Sequence, residues 1–534
     1  MEVERHPQKR RRSSLFRLLP LWRRRSSGFH GLTLEGALVL VALIVVGCNQ
    51  TVQRPKPATP KAPAGPIGAA AQQTAGSWLT FGGNPAASQV NAHEDALTTA
   101  TVSRLHEGWR VLLPDLADER PILVRHMAWP DGTQRDVLYL TTDKGTLMAL
   151  DAASGAQLWA TTPKNNNPKY TKASPAFDPD QGLVYSYGLD GKVHRFRATT
   201  GQEMQGKGWP VLVTRMPLSE KVSSALNLDN GYLYVTTASF SGDAPPYQGH
   251  MVAINIKTGA KQVFNSLCND HTHILAQGEC TKNGGGIWGR PGIVVDPATG
   301  HIFFTVSDAN YDANQGGPDW GDSVIEMSAD GSKVLDSYTP SNYASEAFQN
   351  RDLGSTAPVL LPAIPSSHTP YLAVQAGKEG LLRLLNRQNL SGQGGPGHVG
   401  GELQTIALQD LCPTLAQPVA WQNPADGSQW LFVATLCHID AFRVVTSAAG
   451  VTTLKLAWIN EVESTSPLMA GGVLFAAVSE KLLALDPTTG HTLWSSALPG
   501  AKGNIGGIHW ESPIVIDGRL YCSDETDHLT MYQL

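Results

Sequence analysis

With 534 residues, 41% of them hydrophobic and 16% charged, the chain has a globular composition and the length of several domains or one large repeat array. Its 53 glycines suit many short strands and tight turns. The formal charge of −5 becomes −11 once residues 1–47, with nine Lys/Arg and three Asp/Glu, are set aside. An acidic body of this kind excludes the electrostatic footprint of a nucleic-acid binder.

The first segment, residues 1–48, joins arginine clusters at Arg10–Arg12 and Arg23–Arg25 to a compact apolar run from Gly36 to Gly47. That run is shorter than the about 20 residues a bilayer span needs. It reads as a secretory signal or as an uncleaved membrane anchor. Val45-Val46-Gly47-Cys48 resembles a bacterial lipobox, which implies lipidation at Cys48. Either way the body is expected outside the cytoplasm, held to a membrane by its N-terminus. Residues 49–76 are rich in Pro and Ala and read as an extended tether. Outside the cytoplasm, Cys268 with Cys280 would close a short loop and Cys412 with Cys437 a second. The sequence does not fix the pairing. Cys522 alternates like a buried strand residue.

From residue 77 to 534 one phrase recurs. Ala149-Leu150-Asp151-Ala152-Ala153-Ser154-Gly155-Ala156-Gln157-Leu158-Trp159 returns as Ala484-Leu485-Asp486-Pro487-Thr488-Thr489-Gly490-His491-Thr492-Leu493-Trp494. Each copy reads as a strand, an Asp-x-x-Ser/Thr-Gly turn and a second strand ending in tryptophan. Copies lie at 137–159, 174–204, 223–264, 291–338, 355–390, 418–458, 466–494 and 512–534. The last lacks its outer strand, while Leu105–Val111 near the start is an outer strand without a blade. Joining them predicts an all-β, eight-bladed propeller of four-stranded antiparallel blades, closed by that N-terminal strand. The repeated Trp109, Trp159, Trp458 and Trp494 are expected to pack between blades.

The Ala-Leu-Asp-x-x-Thr-Gly-x-x-Leu-Trp phrase resembles the repeat of pyrroloquinoline quinone (PQQ) proteins, a family of quinoprotein alcohol dehydrogenases and non-catalytic envelope propellers. Gly284-Gly285-Gly286-Ile287-Trp288 is similar to the segment whose tryptophan forms the floor under the quinone, which implies that role for Trp288. Asn310 stands where the family carries a calcium-ligating Asn. Read without the family, oxygen-bearing residues alternate at Asp308, Asn310, Asp312 and Asn314, a pattern suited to a hard cation. An Asx-rich turn without a metal is the plain alternative. Asp352 falls at the family's proposed general base, and Lys378 at the lysine that contacts the quinone oxygens. The family's adjacent-cysteine cap is missing. Its calcium-ligating glutamate has only Asp243 as a shifted substitute. There is no Cys-x-x-Cys-His haem motif, so electrons from any oxidation would pass to a separate acceptor. Cys268-Asn269-Asp270-His271-Thr272-His273 matches no standard zinc spacing.

Two functions follow from these residues. The first is a membrane-tethered scaffold or ligand-binding module with a degenerate quinone site, its partner an envelope protein or a small molecule. The alternative is a PQQ- and calcium-dependent dehydrogenase of alcohols or sugars. The departures from the family pattern favour the first. Convergence of Trp288, Asn310, Asp352 and Lys378 on one central pocket would favour the second.

Overall fold

The computed structural model describes residues 76–501 and 503–534. The expected signal or anchor, the lipidation at Cys48 and all but the last residue of the tether lie outside the described residues. Eight antiparallel sheets follow one another in chain order. Blade 1 contains Ile122–Ala128, Gln134–Thr141, Leu147–Asp151 and Gln157–Thr161, and the pattern continues to blade 8 at Ile514–Ile516, Arg519–Asp524 and His528–Gln533. The fourth strand of blade 8 is His106–Leu112, with Trp109 opposite Met531. The ring is therefore closed by its own N-terminal strand, which leaves no open edge at the junction.

Inner strands such as Leu183–Gly188 and Val473–Val478 are buried at every position, because neighbouring blades cover both faces. The outer strand His106–Leu112 alternates between half-buried and exposed residues, as a half-solvated strand does.

Where it ends in tryptophan, the repeated phrase couples one blade to the next. Asp151 accepts the N–H groups of Ala153 and Ser154 across its turn. The turn glycine, Gly155, sits at φ +72. A Cβ there would meet the Trp109 ring of the preceding blade at 2.8 Å. The same ring donates from Nε1 to Ala152 O at 3.3 Å. Trp159 repeats the arrangement on blade 2, with Ala198 O at 2.8 Å, and Trp458 on blade 7, with Pro487 O at 2.9 Å. The tryptophan is thus both a packed surface and a hydrogen-bond donor to the neighbouring turn.

The repeat says nothing about residues 78–91, which plug one end of the ring. Trp78 bridges Leu123 of blade 1. Leu79 O accepts from Phe177 of blade 2, and Pro85 O from Asn227 and Val295 of blades 3 and 4. Gln89 Nε2 donates to Gln417 O and Pro418 O at the start of blade 6, each at 2.9 Å. Val90–Asn91 adds a parallel strand to Leu468–Ala470 of blade 7, and Asn91 Nδ2 reaches Val515 O of blade 8. At the centre Arg120, fully buried, donates to Phe81 O, Gln89 Oε1 and Ser466 O. Cys268–Cys280 and Cys412–Cys437 are disulfide-bonded, and Cys522 is free and buried.

Candidate functional site

A cavity of about 270 Å³ is lined by residues leading into or lying in blades 2, 3, 4, 5, 6 and 8. A hollow touched by six blades must sit at the centre of the ring. Its walls include Trp288 and Trp510, whose ring centroids lie 6.2 Å apart at 69°. A column of rings and cations connects this cavity to the plug. Arg120 lies 4.4 Å from the Phe81 ring centroid, Arg290 lies 5.8 Å from Phe81 and 5.6 Å from Trp510, and Lys378 Nζ lies 5.1 Å from Trp288.

Local structure explains each position. Trp288 is fixed by close backbone approach on both sides: Ile287 N–H donates to Thr237 O at 2.9 Å, and a Cβ on Gly289 would sit 2.6 Å from Ala357 N. Lys378 occupies the tight turn between Leu372–Ala376 and Leu381–Asn386 of blade 5. Asp352 follows the helix Tyr343–Gln349, which Asn350 ends in the left-handed conformation at φ +53.

Trp288, Asp352 and Lys378 come together. Lys378 pairs with Asp352 Oδ2 and lies over Trp288. Asp352 is buried, and Asp308 N–H donates to its Oδ1 at 3.2 Å. Burial works to raise the Asp352 carboxyl, but the hydrogen bond from the Asp308 carboxyl and the Lys378 charge outweigh it, leaving Asp352 below the usual range. Asp308 goes the other way. Burial and then its hydrogen bond to Asp352 push it up to about 9, so one proton sits between the two carboxyls on the Asp308 side.

Asp308 and Asn310 line a neighbouring hollow, and Asp243 borders both cavities. Asn310 Nδ2 donates to Asp319 Oδ2 at 2.5 Å, while Lys282 pairs with Asp319 and Asp312. Asp243 Oδ1 accepts from the hydroxyls of Ser239 and Tyr247. Among the described residues no group of three or more His, Cys, Asp or Glu side chains is arranged to hold a metal ion. Of the side chains offered for calcium, Asp243 Oδ1 accepts from two protein hydroxyls, Asp308 is hydrogen-bonded to Asp352, and Asn310 turns its amide nitrogen to Asp319, an arrangement that does not fit a calcium ion.

Sequence reasoning missed Lys172, Lys221, Arg290, His509 and Trp510, all of which line the cavity. Lys172 pairs with Asp118, which also meets His509 Nδ1 at 2.7 Å and accepts the Trp510 N–H at 2.9 Å. Arg290 donates to Ser223 O at 2.8 Å. A repeat-based signal was available. Lys172, Lys221 and Trp510 each stand two residues before the serine that opens a blade, at Ser174, Ser223 and Ser512. That position faces the ring centre in every one of these copies.

A sequence family described as the glucose/ethanol/alcohol dehydrogenase β-propeller domain, of the PQQ type, matches residues 78–389. A second, described as outer membrane protein assembly factor BamB, matches residues 442–533. No curated protein matches the chain. Among solved structures, a quinohemoprotein alcohol dehydrogenase from Pseudomonas putida HK5 is 15% identical at a TM-score of 0.61, covering 87% of this chain and 81% of its own. A europium-containing methanol dehydrogenase is 17% identical at a TM-score of 0.61, covering 86% and 98%. A quinohemoprotein alcohol dehydrogenase from Comamonas testosteroni is 14% identical at 0.58, covering 87% and 84%. At these identities the structural likeness speaks for the fold. With more than half its length matched by the first family, and with that family's repeat docking blade to blade around the ring, the chain belongs to the PQQ-type glucose/ethanol/alcohol dehydrogenase β-propeller family.

Proposed function

We propose that the central cavity binds a planar polyanionic quinone of the PQQ type and that the protein oxidises a small alcohol or sugar there. The observation that carries this reading is the meeting of Trp288 and Lys378 at one cavity walled by a second tryptophan and by Lys172 and Arg290, with the buried Asp352 paired to Lys378 behind that wall. The donor set fits such a ligand: flat aromatic walls for a flat body, and cations for its carboxylates. A bound quinone would supply a hydride acceptor.

The chain's own residues do the rest. Asp352, held ionised, accepts the substrate hydroxyl proton at its carboxylate. Lys378 keeps Asp352 charged and presents a cation to negative charge developing beside Trp288. With no haem-attachment motif in the chain, electrons leave to a separate acceptor. The N-terminal segment would hold the ring to a membrane outside the cytoplasm, and the two disulfides support an oxidising compartment.

The test is PQQ titration of the purified protein, followed by quinone absorbance and tryptophan fluorescence, with dye-linked oxidation of alcohols and sugars as the activity readout. Saturable binding is expected. Asp352→Asn should keep binding and lose about 10²–10⁴-fold in turnover, the usual weight of a general base. A folded protein that binds no PQQ sinks the proposal. Binding without turnover would leave a ligand- or partner-holding ring of the envelope, the reading favoured by the protein-engaged Asn310 and Asp243.

A further inference from the structure

Among the described residues, one cavity cation has no partner. Lys221 lies on a two-stranded ribbon, Glu220–Lys221 paired with Ala238–Ser239. Strand alternation sends the two side chains of the pair to opposite sides. The Glu220 carboxylate turns to His250 at 3.3 Å and to Gln248 N–H at 2.9 Å. Lys221 enters the cavity, with only 5% of its surface exposed. Its Nζ lies 4.2 Å from the Tyr170 ring centroid and 5.5 Å from Phe240. It makes no ion pair and no side-chain hydrogen bond among the described residues, whereas Lys172, Lys378 and Arg290 around the same cavity are each held by oxygen acceptors.

The charged groups around it are Lys172, Asp118, Arg290 and Asp143, with His509, Asp243 and Lys378 further along the cavity wall. Burial first, then the Lys172 charge, brings the amine down to about 7, against the smaller pull of Asp118 and Asp143. The ring faces of Tyr170 and Phe240 favour the ammonium, but by less than its desolvation costs. A large part of Lys221 is therefore free base at neutral pH.

We propose that Lys221 is a nucleophilic amine that captures an aromatic carbonyl compound bearing a carboxylate as an imine in this cavity. The Nζ lone pair attacks the carbonyl carbon, giving a carbinolamine. The C–O bond then breaks, and the oxygen leaves as water with the two amine hydrogens as the C=N bond forms. No oxidant or reductant is consumed. Trp288 and Trp510 offer walls to the aromatic body, and Lys172 and Arg290 offer charge to the carboxylate. This inference needs the cavity but not the quinone, so either reading can fail alone.

The experiment treats the purified full chain at pH 7 with 4-carboxybenzaldehyde and sodium cyanoborohydride, then maps adducts by peptide mass spectrometry. An ordinary lysine near pKa 10.4 has about a thousandfold smaller free-amine fraction at pH 7, so even with its weaker intrinsic nucleophilicity Lys221 should label at least about tenfold faster than exposed Lys455. The rate should level off above an inflection near the Lys221 value of about 7. Benzaldehyde without the carboxylate should label it more slowly. Lys221→Arg and Lys221→Met should each remove the fast adduct while the thermal midpoint reports an intact fold. Labelling spread over exposed lysines, a first adduct at Lys172 or Lys378, or a fast phase still climbing above pH 9 would overturn the proposal. The wild-type adduct map is enough to reveal any of these, even if both variants fail to fold.

Discussion

Trp159 shows how a single residue of the repeat serves two blades. Its indole packs on Gly201 of the next blade, where a Cβ would sit 2.6 Å from the ring, and donates to Ala198 O. Trp159→Ala, truncating a partly buried aromatic, should cost about 3 kcal/mol, the low end of the range for core aromatics, and urea unfolding would read it. Asp308 carries a pH prediction. Its folded value of about 9 lies far above the unfolded carboxylate range, so the folded state holds a proton that the unfolded state releases. The stability this group contributes is complete below the unfolded value and falls as pH rises toward 9. Asp308→Asn removes that slope and can still donate to Asp352. The variant's advantage in thermal midpoint over the parent protein should grow between pH 5 and pH 9, and an advantage independent of pH would refute the shared proton. At this scale the sequence named Trp288, Asp352 and Lys378 through a family pattern, and the structure brings those three together. Arg290 carries no local motif, and the repeat position of Lys221 tells where it points but not its charge. Their chemistry comes from burial, which a string of letters does not display.

Among the elements, the blades were legible and the plug was not. A blade announces itself because period-2 strands and Asp-x-x-Thr-Gly turns are local signals. Residues 78–91 make their bonds one at a time to seven different blades, so no periodicity marks them. Arg120 is the buried centre of that set. Arg120→Met should leave Ser466 O and Gln89 Oε1 without their donor, while Phe81 O keeps Trp78 Nε1, at about 1–3 kcal/mol for each unsatisfied acceptor. Denaturant unfolding measures it. Because Arg120 begins the column that ends at Trp510 and Trp288, the same variant should also weaken ligand binding in the cavity.

The whole molecule depends on ring closure. His106–Leu112 pairs with His528–Gln533 across more than 400 residues of sequence, the costliest kind of contact to form. Deleting residues 528–534 would expose the edges of both Arg519–Asp524 and His106–Leu112. Size-exclusion chromatography should then find self-associated protein instead of a monodisperse ring. A monodisperse, equally stable truncation would contradict closure as the source of integrity. The sequence by itself determined the architecture: repeating hairpins with Trp-ended strands, an orphan strand at one end and a missing strand at the other admit one circular solution. Tertiary structure alone decided the cavity. Its residues come from segments of six blades far apart in the chain, and their charge states are set by what surrounds them once water is excluded. Local order is written in neighbours along the chain, whereas a central site is made by neighbours across it.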